Sequence, residues 1–196
     1  MIDPHHHDKY LEFLRQSIDA AKKLGASSVT IHSNALGADG HVIHNYQELS
    51  YTVKLCSMFR ILQECADLAE HSGIMMYLEP LNIITDHVGN FLTSTQMAAE
   101  MTRLIGCEKL KVLYDVYHMQ LNEGKLCDTI KTYIDQIGHI HIADVPGRHE
   151  PDTGEINFRK VFELLQQLGY DGYVGYELYP FTSTRNAVQA IMKYGG

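Results

Sequence analysis

The chain has 196 residues, 45% of them hydrophobic and 20% charged, with a formal net charge of −8. That is the composition of an ordinary globular protein with room for a sizeable core, and the acidic balance argues against a nucleic-acid partner, because phosphate binding draws on a basic surface. No apolar run approaches the ~18 residues of a membrane span, no signal peptide opens the chain, and Cys56, Cys65, Cys107 and Cys127 are too widely spaced for a CxxC motif, so a reducing, cytoplasmic setting is expected.

In chain order, His5, His6 and His7 read either as a native loop or as part of a tag. From Asp8 to Leu24, apolar residues at Leu11, Leu14, Ile18 and Ala21 have the spacing of one helix face, with Asp3 and Pro4 at its start and Gly25 at its stop. Ser28 to Ser33 is a strand. A helix is expected from about Gln47 to His71, burying Leu55, Met58, Phe59, Leu62, Ala66 and Ala69, and Gly73 ends it before a strand at Ile74 to Glu79. Thr93-Ser-Thr-Gln96 fits a capping box for a helix running to Ile105. Gly106 then precedes a strand at Leu110 to Val116. A helix from Cys127 to Ile137 is followed by Gly138 and a strand at His139 to Asp144. Asn157 caps a helix presenting Phe158, Val161, Phe162, Leu165 and Leu168, which ends at Gly169. Tyr173 to Leu178 is the last strand and Arg185 to Tyr194 the last helix.

A helix, a glycine and a strand thus recur at Gly25, Gly73, Gly106, Gly138 and Gly169, at a repeat of roughly 30 to 45 residues, the size of a βα unit. Strands separated by helices imply a parallel sheet covered by them. The predicted class is α/β, a (β/α)₈ TIM-barrel-like fold, with a doubly wound open sheet as runner-up. About five strands are found where a closed barrel has eight, so the barrel is partial. Residues 1–196 read as one domain.

Three of the strands are apolar until a final acid: Met75 to Glu79, Val112 to Asp115 and Val174 to Glu177. A fourth, at His139 to Asp144, runs into a loop, Val145 to Glu155, dense in ionisable side chains. Loops on rigid strands are where binding and chemistry concentrate. Carboxylates and a histidine at the same end of neighbouring strands describe a metal site at the mouth of a barrel. Taken alone, each such acid reads as a helix cap or a partner for a lysine; their repetition at equivalent strand ends is what favours the site.

Leu78-Glu-Pro-Leu-Asn82, Tyr114-Asp-Val-Tyr-His118, His139-Ile-His-Ile-Ala143, Pro146 to Asn157 and Gly175-Tyr-Glu-Leu-Tyr179 resemble the hydroxypyruvate isomerase family of the xylose-isomerase-like barrel superfamily, which also holds ketose 3-epimerases and apurinic endonucleases. The likeness runs from the first helix to the C-terminus. It implies that a complete member carries about three more βα units ahead of Met1, so that this chain is N-terminally truncated. It implies metal ligands at Glu79, Asp115, His141 and Glu177, an acid/base pair in Glu79 and Glu177, and substrate-oxygen contacts from His118 and Arg148. His141 stands where close isomerase relatives often have Gln and the epimerases have His. Gly147-Arg-His149 departs from the Asp-Arg-His of the endonucleases. Thr85 replaces the glutamate by which the epimerases bind substrate.

Shifting hydrogen between adjacent carbons of a hydroxy-carbonyl compound needs a proton removed next to a carbonyl, a base within ~3 Å to take it, and a divalent ion to stabilise the resulting charge. Three carboxylates and an imidazole suit Mg²⁺ or Mn²⁺ better than Zn²⁺. Arg148 is expected to grip a substrate carboxylate, as in hydroxypyruvate. The alternatives are a ketose 3-epimerase and a scaffold fragment without catalysis of its own. A five-stranded sheet has two open edges, so a homodimer is expected. His139 is expected to be a packed, hydrogen-bonded core residue, and His32 and His87 structural or loop residues.

Overall fold

The computed structural model describes residues 1–195. A 3₁₀ turn, Pro4–His6, leads into α1 (His7–Leu24), which buries Leu11, Leu14, Ile18 and Ala21, the face its spacing predicts. Asp3 accepts from the His5 amide and pairs with the His5 and His6 rings at 3.0 and 2.8 Å. His7 is buried, its Nε2 2.8 Å from Ser57 Oγ. Of the three histidines, His7 is the one packed into the fold, and His5 and His6 stay exposed.

The chain then alternates β1 (Ser28–Ile31), α2 (Tyr51–Ser72), β2 (Met75–Leu78), α3 (Thr95–Ile105) and β3 (Leu110–Asp115), followed by α4 (Val116–Asn122), α5 (Leu126–Tyr133), β4 (Ile137–Ile142), α6 (Phe158–Gln167), β5 (Tyr173–Tyr176) and α7 (Thr184–Gly195). The strands form one parallel sheet in the order β1-β2-β3-β4-β5, a half-barrel with its helices outside. Sequential parallel strands need a crossover each, and the helices supply it.

Alternate strand residues face opposite ways. Ile31, Met76, Leu78 and Val112 pack with α1, α2 and α3 residues such as Leu14, Met58, Leu62 and Ala98, while Tyr114, Ile140 and Ile142 pack with Ile130, Phe158, Val161 and Leu165. The other parity turns inward. His141 lies opposite Asp115 on β3 and Gly175 on β5, so three strands share one level of the inner face, with a side chain from β3 and from β4 and none from β5.

Three expectations need correcting. Helix α2 begins at Tyr51 rather than Gln47, because Ser50 is its cap, its Oγ accepting from the Val53 amide at 3.3 Å. Helix α3 is capped by Ser94 rather than Thr93. Helix α5 stops at Tyr133, and Gly138 lies inside β4 instead of ending a helix. Its role there is close approach: a Cβ would sit 2.7 Å from the Tyr77 ring and 2.8 Å from Lys111 Cβ. At Gly25, Gly73 and Gly106 the left-handed cap holds, with φ of 70°, 77° and 71°. The seven-residue α4 was not expected at all. Among the described residues, no helix is long and apolar enough to cross a membrane.

Candidate metal centre and active site

The C-terminal ends of β2 to β5 deliver four ligand-type side chains to one place. Glu79 follows β2, Asp115 ends β3, His141 is the penultimate residue of β4, and Glu177 follows β5. One ligand atom from each lies within 4.8 Å of all the others. His141 Nδ1 is 3.9 Å from Glu79 Oε1, 3.9 Å from Asp115 Oδ2 and 3.1 Å from Glu177 Oε2. The sequence-derived set of Glu79, Asp115, His141 and Glu177 therefore converges.

Each carboxylate is oriented by a different device. His32, just beyond β1, places its Nε2 2.8 Å from Glu79 Oε2. Asp115 divides its oxygens: Oδ1 caps α4 by accepting from the Tyr117 and His118 amides at 2.8 and 3.2 Å, and Oδ2 faces the cluster. The strand-end acid is thus a helix cap through one oxygen, and its other oxygen is left free to face the cluster. Glu177, just past β5, has its side chain 58% exposed and is held by Arg148 Nη2 at 2.8 Å.

The residues present fit a divalent cation. Glu79 is 4% exposed and its Oε1 is buried without a hydrogen-bond partner, while Nδ1 of His141 is buried 3.1 Å from Glu177 Oε2. Buried lone pairs left unpaired cost free energy unless something positive meets them. Three carboxylates crowded together repel one another and call for the same thing.

The local electrostatics show that strain. The neighbouring His141 ring, with Arg148, holds the Glu177 carboxyl down at about 2 against its desolvation. Burial pushes Asp115 up, against the pull of Arg148. Burial opposes charge on His141, but Glu177, Glu79 and Asp115 outweigh it and raise that imidazole above its ordinary range.

Arg148 lies closer in than expected. Its Nη2 donates to Glu177 Oε2 at 2.8 Å and Asp115 Oδ2 at 3.2 Å, and its guanidinium stacks 5.0 Å over the Tyr117 ring. Its backbone is left-handed, φ 58°, beside Gly147 at φ 90°. Such a conformation costs ~1–3 kcal/mol and persists where the surroundings enforce it. Here Asp144 does so. Its carboxylate, fully buried, accepts from the amides of Val145, Gly154 and Ile156 at 2.9, 2.8 and 3.0 Å. His149 donates from Nδ1 to the Tyr179 carbonyl at 2.7 Å, tying the same loop to the segment after β5.

His118 projects from α4 and is 1% exposed, its Nε2 3.6 Å from Asp115 Oδ2. Burial drives its imidazole down to about 3. His139 departs from expectation: it is only half-buried on the inner face, and its Nδ1 has no hydrogen-bond partner. His87 is structural as expected, with Nδ1 2.6 Å from the Gly40 carbonyl. The sequence reading gave no site role to Tyr117 under Arg148, to Asn82 against His118, or to His32, whose position directly after β1 was the available signal.

The sequence profile of the xylose isomerase-like TIM barrel matches residues 2–194. The chain belongs to that family. Within it, the hydroxypyruvate isomerase of Escherichia coli K12 is 39% identical over 133 residues, 68% of this chain and 51% of that protein. The 2-oxo-tetronate isomerase of Cupriavidus necator is 39% identical over 131 residues, 67% of this chain and 50% of that one. The matches with these curated relatives thus span about half their length. Among solved structures, AP endonuclease family 2 from Brucella melitensis superposes with a TM-score of 0.82 at 25% identity, covering 96% of this chain and 69% of that one.

Proposed function

We propose that this xylose isomerase-like chain serves a divalent-metal-dependent isomerase acting on a short hydroxy-carbonyl acid of the hydroxypyruvate kind. The observation that carries the reading is the convergence of Glu79, Asp115, His141 and Glu177, with Oε1 of Glu79 buried and unpartnered among them. The names of the E. coli and C. necator relatives support the reaction class. The net charge of −8 and Gly147 ahead of Arg148 speak against a nuclease.

A divalent ion held by Glu79, Asp115, His141 and Glu177 would supply Lewis-acid stabilisation of the negative charge that develops on the substrate; three carboxylates and one imidazole favour Mg²⁺ or Mn²⁺ over Zn²⁺. Glu79 and Glu177 flank the reacting carbons: one takes the proton from the carbon beside the carbonyl, the other gives a proton to the former carbonyl carbon, and the substrate's hydroxyl proton passes to the former carbonyl oxygen. Arg148, held over Tyr117, and His118 present N–H donors to substrate oxygens.

A small-molecule substrate is the partner this reading requires. The open outer edges of β1 and β5 support a two-fold homodimer as the assembly, and the free cysteines support a reducing cytoplasm. One observation favours a second reading, a ketose 3-epimerase: the nitrogen ligand is His141, the residue type the epimerases carry there.

The test is turnover of hydroxypyruvate to tartronate semialdehyde by protein loaded in turn with Mg²⁺, Mn²⁺ and Zn²⁺. Activity is expected with the first two, and Glu79→Gln and Glu177→Gln are each expected to lower kcat by ~10²–10⁴-fold. Deuterium exchange at C3 of a ketose without aldose formation decides for the epimerase instead.

A further inference from the structure

The Asn82 side chain reveals which way round it is by what its oxygen does. Oδ1 accepts from the Thr85 and Asp86 amides at 3.1 and 3.3 Å and from the Thr85 hydroxyl at 3.2 Å. A backbone N–H can only donate, so that atom is the carbonyl oxygen and the other is the amide nitrogen. The nitrogen therefore faces Asp86 Oδ2 at 2.8 Å and His118 Nδ1 at 2.7 Å. An amide nitrogen donates, so Nδ1 of His118 must accept and carries no proton. The ring proton is then on Nε2, the atom turned toward Asp115 Oδ2 at 3.6 Å. Both Asn82 and His118 are buried, at 0% and 1% exposure, so water does not compete for the bond.

We propose that Asn82 is a positioning residue that locks His118 as the Nε2–H tautomer, making it a hydrogen-bond donor into the site and not a metal ligand. This deepens the functional reading above, and its statement about substrate rests on that reading: the group meeting His118 is an acceptor, a carbonyl or carboxylate oxygen. Charge gathers on such an oxygen as the proton leaves the adjacent carbon, and a neutral donor fixed in place meets it without rearrangement.

The same geometry disposes of a rival. Ligand atoms of Asp86, His87 and His118 also lie within 4.8 Å of one another. Of these, His118 has committed its lone pair and Asp86 one oxygen to Asn82, while His87 donates from Nδ1 to the Gly40 carbonyl at 2.6 Å. One imidazole nitrogen and one carboxylate oxygen remain, too few for a cage. Asp86 and His118 are instead joined through Asn82, and His87 is tied to the Gly40 carbonyl.

Nitrogen-15 NMR of the whole chain with labelled histidine reads the tautomer directly. His118 is expected to show an unprotonated Nδ1 and a protonated Nε2 at neutral pH; the Nδ1–H tautomer or an imidazolium overturns the proposal. In Asn82→Ala the pattern is expected to give way to a mixture of tautomers, and an unchanged pattern in a folded variant overturns it as well. On titration with Zn²⁺ or Mg²⁺, Nε2 is expected to keep its proton, whereas its loss marks ligation and sinks the idea. None of these readouts needs turnover, so absence of isomerase activity would defeat the functional reading while leaving the tautomer assignment standing.

Discussion

His118 titrates far below its ordinary range, at about 3 against 6.5 in a free chain, because burial disfavours its charge more than Glu79 favours it. A folded pKa below the unfolded one means that protonation is opposed by the fold. The contribution to stability is intact above pH 6.5 and is lost as pH falls toward about 3. Each unit corresponds to ~1.4 kcal/mol. The acid limb of the stability curve is therefore expected to flatten in His118→Gln. Urea unfolding at a series of pH values checks this, and parallel curves for the two proteins would refute it. Gly175 supplies a second prediction at this scale. A Cβ there would lie 3.0 Å from His141 Cδ2 and 3.2 Å from His139 Nε2, so the imidazole has to shift. Displaced orientation of a ligand weakens metal binding by ~10–100-fold. Gly175→Ala is expected to do so by calorimetric titration with Mn²⁺, while the protein stays folded.

At the scale of elements, the loop after β4 depends on Asp144 as the helices depend on their caps. Asp144→Ala leaves three amides without their acceptor, at ~1–3 kcal/mol for each one that stays buried. A loss of several kcal/mol in urea unfolding is expected, with a fall in activity because Arg148 is no longer held. Gly138→Ala, which drives a methyl group into Tyr77 and Lys111, is expected to cost ~1–3 kcal/mol. These elements were unevenly legible in the sequence. Strand ends closing on Glu79, Asp115 and Glu177 stood out because an acid breaks an apolar run. Helix ends at Gly25, Gly73 and Gly106 stood out because only a left-handed residue closes them cheaply. Helix α4 did not, since it follows β3 without a breaker and its cap is Asp115 itself, which reads first as a ligand. Gly138 misled for the opposite reason: a glycine needed for close approach looks in sequence like one needed for a turn. The contacts of His32 and Asn82 were not legible, because their partners lie 47 and 36 positions away, although His32 stands directly after β1.

At the scale of the whole molecule, five parallel strands curve around a site without closing. Among the described residues β1 and β5 are the outer strands, and an outer strand's backbone groups favour pairing with another strand. A dimer is expected by light scattering, and a monodisperse monomer contradicts it. The four candidate ligands come from four successive strands, with Glu79 at β2 and Glu177 at β5, the far edge. An ion gripping all four would act as a clasp drawn across the sheet, and the strand with most to gain is the outermost. Hydrogen–deuterium exchange should then register occupancy most strongly in the amides of Tyr173 to Tyr176, some distance from any bond the ion itself makes.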